Sequence, residues 1–235
     1  MKKRYANFKF LAALLLTGFF ILPALNGQAT LMHSYTFEDG TAADVVGTAD
    51  GTLNGTGYTV ADGVFTSSTN GDFISFDAAT LALNTYSAIT MEAYVRAGDG
   101  TNPGWTVLAY FGGDAGANAH FMSIARGDNR SQTEYVGGAT AIGPELDDGK
   151  LHHLVSVLTS TDISFYIDGE LMETVANTKS LSEINLENAW LCKGGWSADP
   201  TWNGSIHEFI IYESALDAAR FTSNATVFLS ASDAR

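Results

Sequence analysis

From residue 30 onward, apolar and polar positions alternate in short runs. In AITMEAYVR, Ile89, Met91, Ala93 and Val95 fall on one side, and Thr90, Glu92, Tyr94 and Arg96 on the other. ISFYIDG sets Ile163, Phe165 and Ile167 against Ser164 and Tyr166, while HLVSVLT sets Val155 and Val157 against Leu154, Ser156 and Leu158. Successive side chains of a strand point to opposite faces, so this period of two predicts strands rather than helices. Asn-Gly or Asp-Gly follows at residues 39, 50, 54, 62, 70, 99, 148, 168 and 203. These pairs favour the positive φ angles that tight hairpins require. Short strands with such turns between them predict two antiparallel sheets packed face to face. Helix is expected only as one or two short turns: one through ALDAARF with Ser214 as its cap, another in SLSEINL. No linker, repeat or low-complexity tract interrupts the pattern, so residues 30–235 read as a single all-β sandwich domain.

The beginning of the chain differs. Residues 1–29 combine a basic start, MKKRYANFKF, with the apolar stretch LAALLLTGFFILPAL, and Gly27 and Ala29 place small residues at −3 and −1 of a cleavage site. This is the pattern of a secretory signal peptide, with an uncleaved anchor as the alternative, so the remainder is expected outside the cytoplasm, secreted or periplasmic, with no membrane insertion after cleavage. The formal charge of the whole sequence is −14, and Lys2, Lys3, Arg4 and Lys9 belong to the leader, so the domain itself is more acidic still. A surface of that sign repels nucleic acid and anionic membranes and suits neutral or cationic ligands. The single cysteine, Cys192, has no internal partner and reads as a small core residue within AWLCKGG. Trp190 in the same run also reads as core.

Several blocks together resemble one family. HSYTFEDGTAADVVGTADGTLNG, TMEAYVR, DDGKLHHLVSVL followed by ISFYIDGELMETV, and GGWSADPTWNGSIHEFIIYESAL occur in the order of the bacterial laminin G-like domains of the concanavalin A-like lectin/glucanase superfamily. They span residues 31 to 221. The resemblance implies a jelly-roll sandwich. It leaves function open among lectins, adhesion modules, carbohydrate-binding modules and polysaccharide-cleaving enzymes, because a fold alone does not select a chemistry.

The residues narrow that choice. A retaining glycosidase needs two carboxylates about 5 Å apart. No strand carries such a pair at alternating positions: Glu92 stands alone on its face, and Glu145, Asp147 and Asp148 cluster in a turn. His152 and His153 are neighbours on one predicted strand and point apart, which suits packing better than a shared ion. Arg126-Gly127-Asp128 is a three-residue coincidence in a predicted hairpin turn. Calcium is the cofactor the resemblance implies. The loop FEDGTAADVVGTADG offers Glu38, Asp39 and Asp44, with Asp50 nearby, as hard oxygen ligands. In related closing strands an Asp follows the isoleucine and completes the site. Here His207 stands in that place, before Glu208, and an imidazole nitrogen is a poor calcium ligand.

Carbohydrate is the remaining chemistry. Aromatic rings stack on the apolar faces of sugars while carboxylates and amides take the hydroxyls. Trp105 in NPGWTV, then Trp196, Asp199 and Asn203 in GGWSADPTWNG, are the candidate contacts, whereas Trp202, just before the closing strand, reads as a plug at the end of the sandwich. The expectation is a non-catalytic binding module for a glycan or polysaccharide. The alternatives are a module that binds a cell-surface protein and, further off, a glycoside hydrolase or lyase.

Overall fold

The protein is described from a computed structural model covering residues 30–68 and 71–232, with side chains described as far as Ala225. The leader of residues 1–29 lies outside the described residues. The strands in chain order are β1 (Leu31–Tyr35), β2 (Thr52–Asn54), β3 (Thr59–Ala61), β4 (Val64–Ser67), β5 (Phe73–Ser75), β6 (Ile89–Ala97), β7 (Thr106–Gly112) and β8 (His120–Ala125). They continue with β9 (Gln132–Tyr135), β10 (Ala139–Ile142), β11 (Leu151–Leu158), β12 (Asp162–Ile167), β13 (Glu170–Ala176), β14 (Asn188–Leu191) and β15 (Gly204–Tyr212). Two helices accompany them, α1 (Ala78–Leu81) and α2 (Ala218–Ser232).

The strands form two antiparallel sheets. An eight-stranded sheet runs β13-β12-β11-β6-β15-β4-β3, with β1 also paired to β15, and a seven-stranded sheet runs β10-β9-β8-β7-β14-β5-β2. β15 has β6 along one edge. On the other edge its first half pairs β4 through Ile206 and its second half pairs β1 through Phe209. Turn chemistry follows the sequence at two hairpins. Asp62 and Gly63 (φ 52° and 72°) join β3 to β4, and Asp168 and Gly169 (φ 53° and 84°) join β12 to β13. Two consecutive positive φ angles match the right-handed twist of the flanking strands.

The inward positions of both sheets build the core. Ile89, Met91, Ala93 and Val95 of β6, and Ile163, Phe165 and Ile167 of β12, all point into it, as their alternation predicts. Phe209 and Ile211 of β15 join them, with Phe209 stacked between Phe111 and Tyr35 at centroid distances of 6.2 and 6.4 Å. Fully burying one such aromatic contributes roughly 1.5–3 kcal/mol. Cys192 is buried, and its thiol is pushed well up by desolvation. Trp202 has no exposed surface and belongs to the main core.

Three local expectations change. Trp190 is not core: alternation along β14 turns Ala189 and Leu191 inward and Trp190 outward, half-buried, where it stacks on Tyr110 at 5.8 Å. A helix does begin within ALDAARF, at Ala218, but it runs through 15 residues and its cap is not Ser214. Asp217 accepts from Ala219 N–H at 2.7 Å, while the carbonyl of Ser214 accepts from Thr90 Oγ1 at 2.6 Å. SLSEINL does form a short turn, with Ser180 and Glu183 in a reciprocal capping box. Among the described residues no helix is long and apolar enough to cross a membrane.

Candidate functional site

A groove of about 460 Å³ lies on the outer face of the seven-stranded sheet. Val107 of β7, Phe121 and Ser123 of β8 and Glu134 of β9 are the outward positions beneath it, and Trp105, Trp196, Ala198 and Asp199 reach it from two loops. The candidates Trp105, Trp196 and Asp199, far apart in sequence, thus meet in one place. Trp105 is 54% exposed and Trp196 37% exposed, against a core in which most large aromatics are sealed. Water around two such rings is readily displaced by an apolar ligand face.

The loops hold these rings in fixed positions. Trp105 sits at φ 71°, a left-handed backbone that is costly for a bulky residue and that concentrates at ligand sites. Its ring rests against Gly127, where a Cβ would come within 2.8 Å of the indole. Trp196 rests against Gly116 (φ 82°), where a Cβ would collide with the indole. It also meets Phe121 and Tyr110 edge to face at 5.7 and 6.0 Å. Tyr110 is buried, which pushes its hydroxyl up to about 12. That hydroxyl donates to Gly113 O and accepts from Gly116 N–H, fixing the turn that Trp196 leans on. The Trp196 loop is closed at its base, where Trp202 N–H donates to Cys192 O at 3.4 Å.

Asn203 plays a different part from its three companions and does not line the groove. Its N–H donates to Asn102 Oδ1 at 2.8 Å, and its carbonyl accepts from Asn102 Nδ2 at 2.9 Å. Asn102 in turn is held by Asp147, through bonds of 2.8 and 2.7 Å. Asn203 therefore ties the loop bearing Trp105 to the loop bearing Trp196 through its backbone.

The two carboxylates of the groove differ in their donors, since Glu134 is bonded by Gln132 and Thr140 and Asp199 by one amide. Asp199 Oδ2 accepts from Trp196 N–H at 3.2 Å, and Glu134 Oε2 accepts from Gln132 Nε2 at 3.3 Å. Desolvation raises both above the ordinary carboxylate range, more than the Trp196 amide lowers Asp199 and more than Arg126 and Thr140 lower Glu134. The sequence pointed to the loop residues through tryptophans set among glycines. It gave no comparable signal for Val107, Phe121, Ser123 or Glu134. β7 and β8 are buried along their whole length and show little polar contrast, and only the sheet order brings β9, with Glu134, to the groove that Asp199 also lines.

The acidic loop of the expected calcium site is engaged otherwise. Asp44 is buried and accepts from the N–H groups of Ser34, Val46, Gly47 and Ala49 at 3.2, 3.3, 2.9 and 3.1 Å. His33 Nδ1 lies 2.6 Å from Asp44 Oδ2, and His33 Nε2 lies 3.1 Å from the Tyr86 hydroxyl. Burial works against the Asp44 charge, yet these bonds hold its carboxyl below the usual range. Asp39 Oδ1 is bonded to Thr41, and Glu38 lies against Gly63. Glu38, Asp39 and Asp44 do not fit a calcium cage in this arrangement, because the oxygens of Asp44 are already claimed. Among the described residues no three His, Cys, Asp or Glu side chains form a metal-holding group. His207 falls at an irregularity where β15 slips against β6 between Ile206 and Glu208.

The adjacent histidines point apart. His152 bridges Asp168 at 2.8 Å and Asp148 at 3.1 Å, and His153 stacks on Tyr94 at 4.4 Å with Nε2 3.3 Å from Glu92 Oε2. In the Arg126-Gly127-Asp128 turn, the Asp128 carboxylate is bonded to Arg130 and faces Arg126 at 3.4 Å.

Comparison with known proteins completes the picture of the site. A laminin G family model, described as the concanavalin A-like lectin/glucanases superfamily, matches residues 68–220. The chain belongs to that superfamily. Among solved structures it is similar to domain 4 of AbnA, a GH43 extracellular arabinanase from Geobacillus stearothermophilus, in complex with arabinotriose. The TM-score is 0.68 at 20% identity, covering 84% of this chain and 99% of that one. The receptor-binding domain of a botulinum neurotoxin C/D mosaic serotype matches with TM-score 0.64 at 14% identity, over 84% of this chain and 51% of that chain. A Trypanosoma rangeli sialidase complex matches with TM-score 0.64 at 15% identity, over 86% of this chain and 33% of that chain. At these identities the likeness is one of fold. A comparison with curated proteins found no match.

Proposed function

We propose that this is an exported, non-catalytic module that binds glycan in the groove of the seven-stranded sheet. The observation that carries the reading is the meeting of Trp105, Trp196 and Asp199 with Glu134 in one open groove. Two partly exposed indoles supply stacking faces for sugar rings, and two carboxylates supply acceptors for hydroxyls. The arabinotriose complex of the arabinanase domain, which is similar along nearly its whole length, supports a carbohydrate ligand for this fold. Titration calorimetry against arabinan, xylan and chitin oligosaccharides tests it. Binding that weakens at least about tenfold in Trp196→Ala, with the protein still folded, is expected; this corresponds to about 1.4 kcal/mol. Indifference of the wild type to every glycan would sink the reading.

One observation favours a second reading, cleavage of the glycan. Glu134 and Asp199 face the same groove, and a glycosidase uses two carboxylates. Those two roles call for carboxylates pushed apart, one protonated and one ionised. Here burial moves both upward, so neither is singled out as the acid or as the ionised partner. New reducing or unsaturated ends on incubation with polysaccharide, abolished by Glu134→Gln, would establish the enzyme instead.

A further inference from the structure

The groove combines three aromatic side chains with two carboxylates, and among the described residues lining it there is no lysine or arginine. Two cations lie outside that lining, and one of them, Arg126, lowers Glu134 without offsetting its burial. Arg126 faces Asp128 at 3.4 Å in its own turn, and Lys193 Nζ sits over the rings of Trp190 and Phe73 at 3.9 and 4.4 Å. Trp105, Phe121 and Trp196 thus present rings, and Glu134 and Asp199 present negative charge, to whatever fills the space between. Uncharged sugar hydroxyls satisfy the rings and donate to the carboxylates, but they leave two like charges in a partly desolvated site. An ammonium group does more. It is attracted to the face of an indole, it donates up to three hydrogen bonds, and it offsets the carboxylate charge.

We infer that the groove selects glycans bearing free amines, deacetylated amino sugars, over their N-acetylated and acidic counterparts, through Glu134 and Asp199 acting with Trp105 and Trp196. The inference rests on the groove being the glycan site. The raised carboxylates agree with it: burial outweighs the pull of Arg126 on Glu134, and no cation acts on Asp199. A uronic or sialic acid would add a third negative charge to the same space, so the groove excludes it.

The test compares three short ligands at pH 6 by calorimetry: a glucosamine trimer, its fully N-acetylated trimer and a galacturonic acid trimer. Short oligomers are used because the whole chain carries a formal charge of −14 and would attract any long polycation. The glucosamine trimer is expected to bind about tenfold tighter than the acetylated one, an advantage that shrinks in high salt because it is electrostatic. The galacturonate trimer should not bind. The double variant Glu134→Gln/Asp199→Asn should lose the preference for amine while keeping weak binding of the acetylated trimer. A control, Glu145→Gln/Glu170→Gln, removes two exposed acids that do not line the groove and should keep the preference. Equal affinity for the amine and acetylated trimers, or retention of the preference in the double variant, overturns the inference. If Trp196→Ala still weakens both trimers in that case, the groove remains the glycan site and only the charge selection falls. If Trp196→Ala changes nothing, the glycan site falls with it.

Discussion

On the eight-stranded sheet, the outward positions of β11 and β15 include Val155, Val157, Ile210 and Tyr212, and α2 lies over them with Phe221 and Ala225 inserted. On the seven-stranded sheet, the outward positions of β7, β8 and β9 include Val107, Phe121 and Glu134, and among the described residues no helix covers them. Each face carries acidic side chains. Glu92 is fully buried against His153 and accepts from Asn224 Nδ2 of α2 at 3.2 Å. Among the described residues Glu92 Oε1 and His153 Nδ1 have no hydrogen-bond partner. Glu208, beside them, is raised by desolvation and then by Glu92. Glu134 and Asp199 are raised by burial too, yet they open onto a groove. Comparable strand patterns therefore lead to a sealed face and a receptive one, and the difference is whether a helix closes over the sheet.

Four experiments test that contrast. The largest effect belongs to the sealed face. Phe221 is fully buried and packs on Tyr166 at 4.8 Å, so Phe221→Ala should cost about 3–5 kcal/mol in denaturant unfolding. Glycan binding per folded molecule should not change. An unaffected midpoint would mean that α2 is not anchored and the two faces are alike.

Next comes the receptive face. Gly116→Ala places a Cβ into the Trp196 indole at a positive φ, so glycan affinity should fall severalfold and stability by about 1–3 kcal/mol. Normal affinity would show that Trp196 does not need its present seat.

Acid should separate the two faces in order. Glu134 and Asp199 have raised values, so they take up protons first as pH falls, weakening amine binding without destabilising the fold. Asp148 behaves in the opposite sense. Burial alone would raise it, but Lys150 and His152 lower it from 3.8 to about 2. Its contribution is present above the unfolded value and is lost as pH falls towards 2. Binding should thus fade at a higher pH than the melting temperature does. Simultaneous loss of both would remove the distinction. The smallest effect concerns metal: a chelator should leave the melting temperature where it is, because Asp44 is held by amides and His33. A fall of several degrees would restore an ion to that loop.

The sequence made the sandwich legible because β6, β11 and β12 alternate cleanly. It did not show which side of β11 met a second layer, since Val155 and Val157 look as buried as Leu154 and Leu158. That ambiguity hid the length of α2, whose start at Asp217 gives a local signal and whose continuation depends on docking. Trp190 was misplaced for a related reason: three apolar residues in a row read as core until pairing with β7 sets their direction. In the site, Trp105, Trp196 and Asp199 stood out because large rings in glycine-rich loops need a purpose. Asn203 stood out too, but its role passes through backbone atoms, which carry no trace in residue identity. Glu134 was invisible because the distance that matters runs across strands.

The loop that begins after Cys192 and ends at Trp202 is fastened where it leaves and where it returns. At one end Cys192 N–H donates to Leu108 O at 2.7 Å; at the other, the Trp202 carbonyl accepts from Ser67 Oγ at 2.7 Å. Between those anchors Gly195 must stay, since a Cβ there would collide with Tyr110 of β7, and Thr201 Oγ1 accepts from Gly71 N–H at 3.0 Å; residues 197–200 are the part open to exchange. The scaffold is thus suited to retargeting: a grafted or randomised segment would inherit a prepared floor at Phe121 and Val107, and a new specificity could arise from a few substitutions.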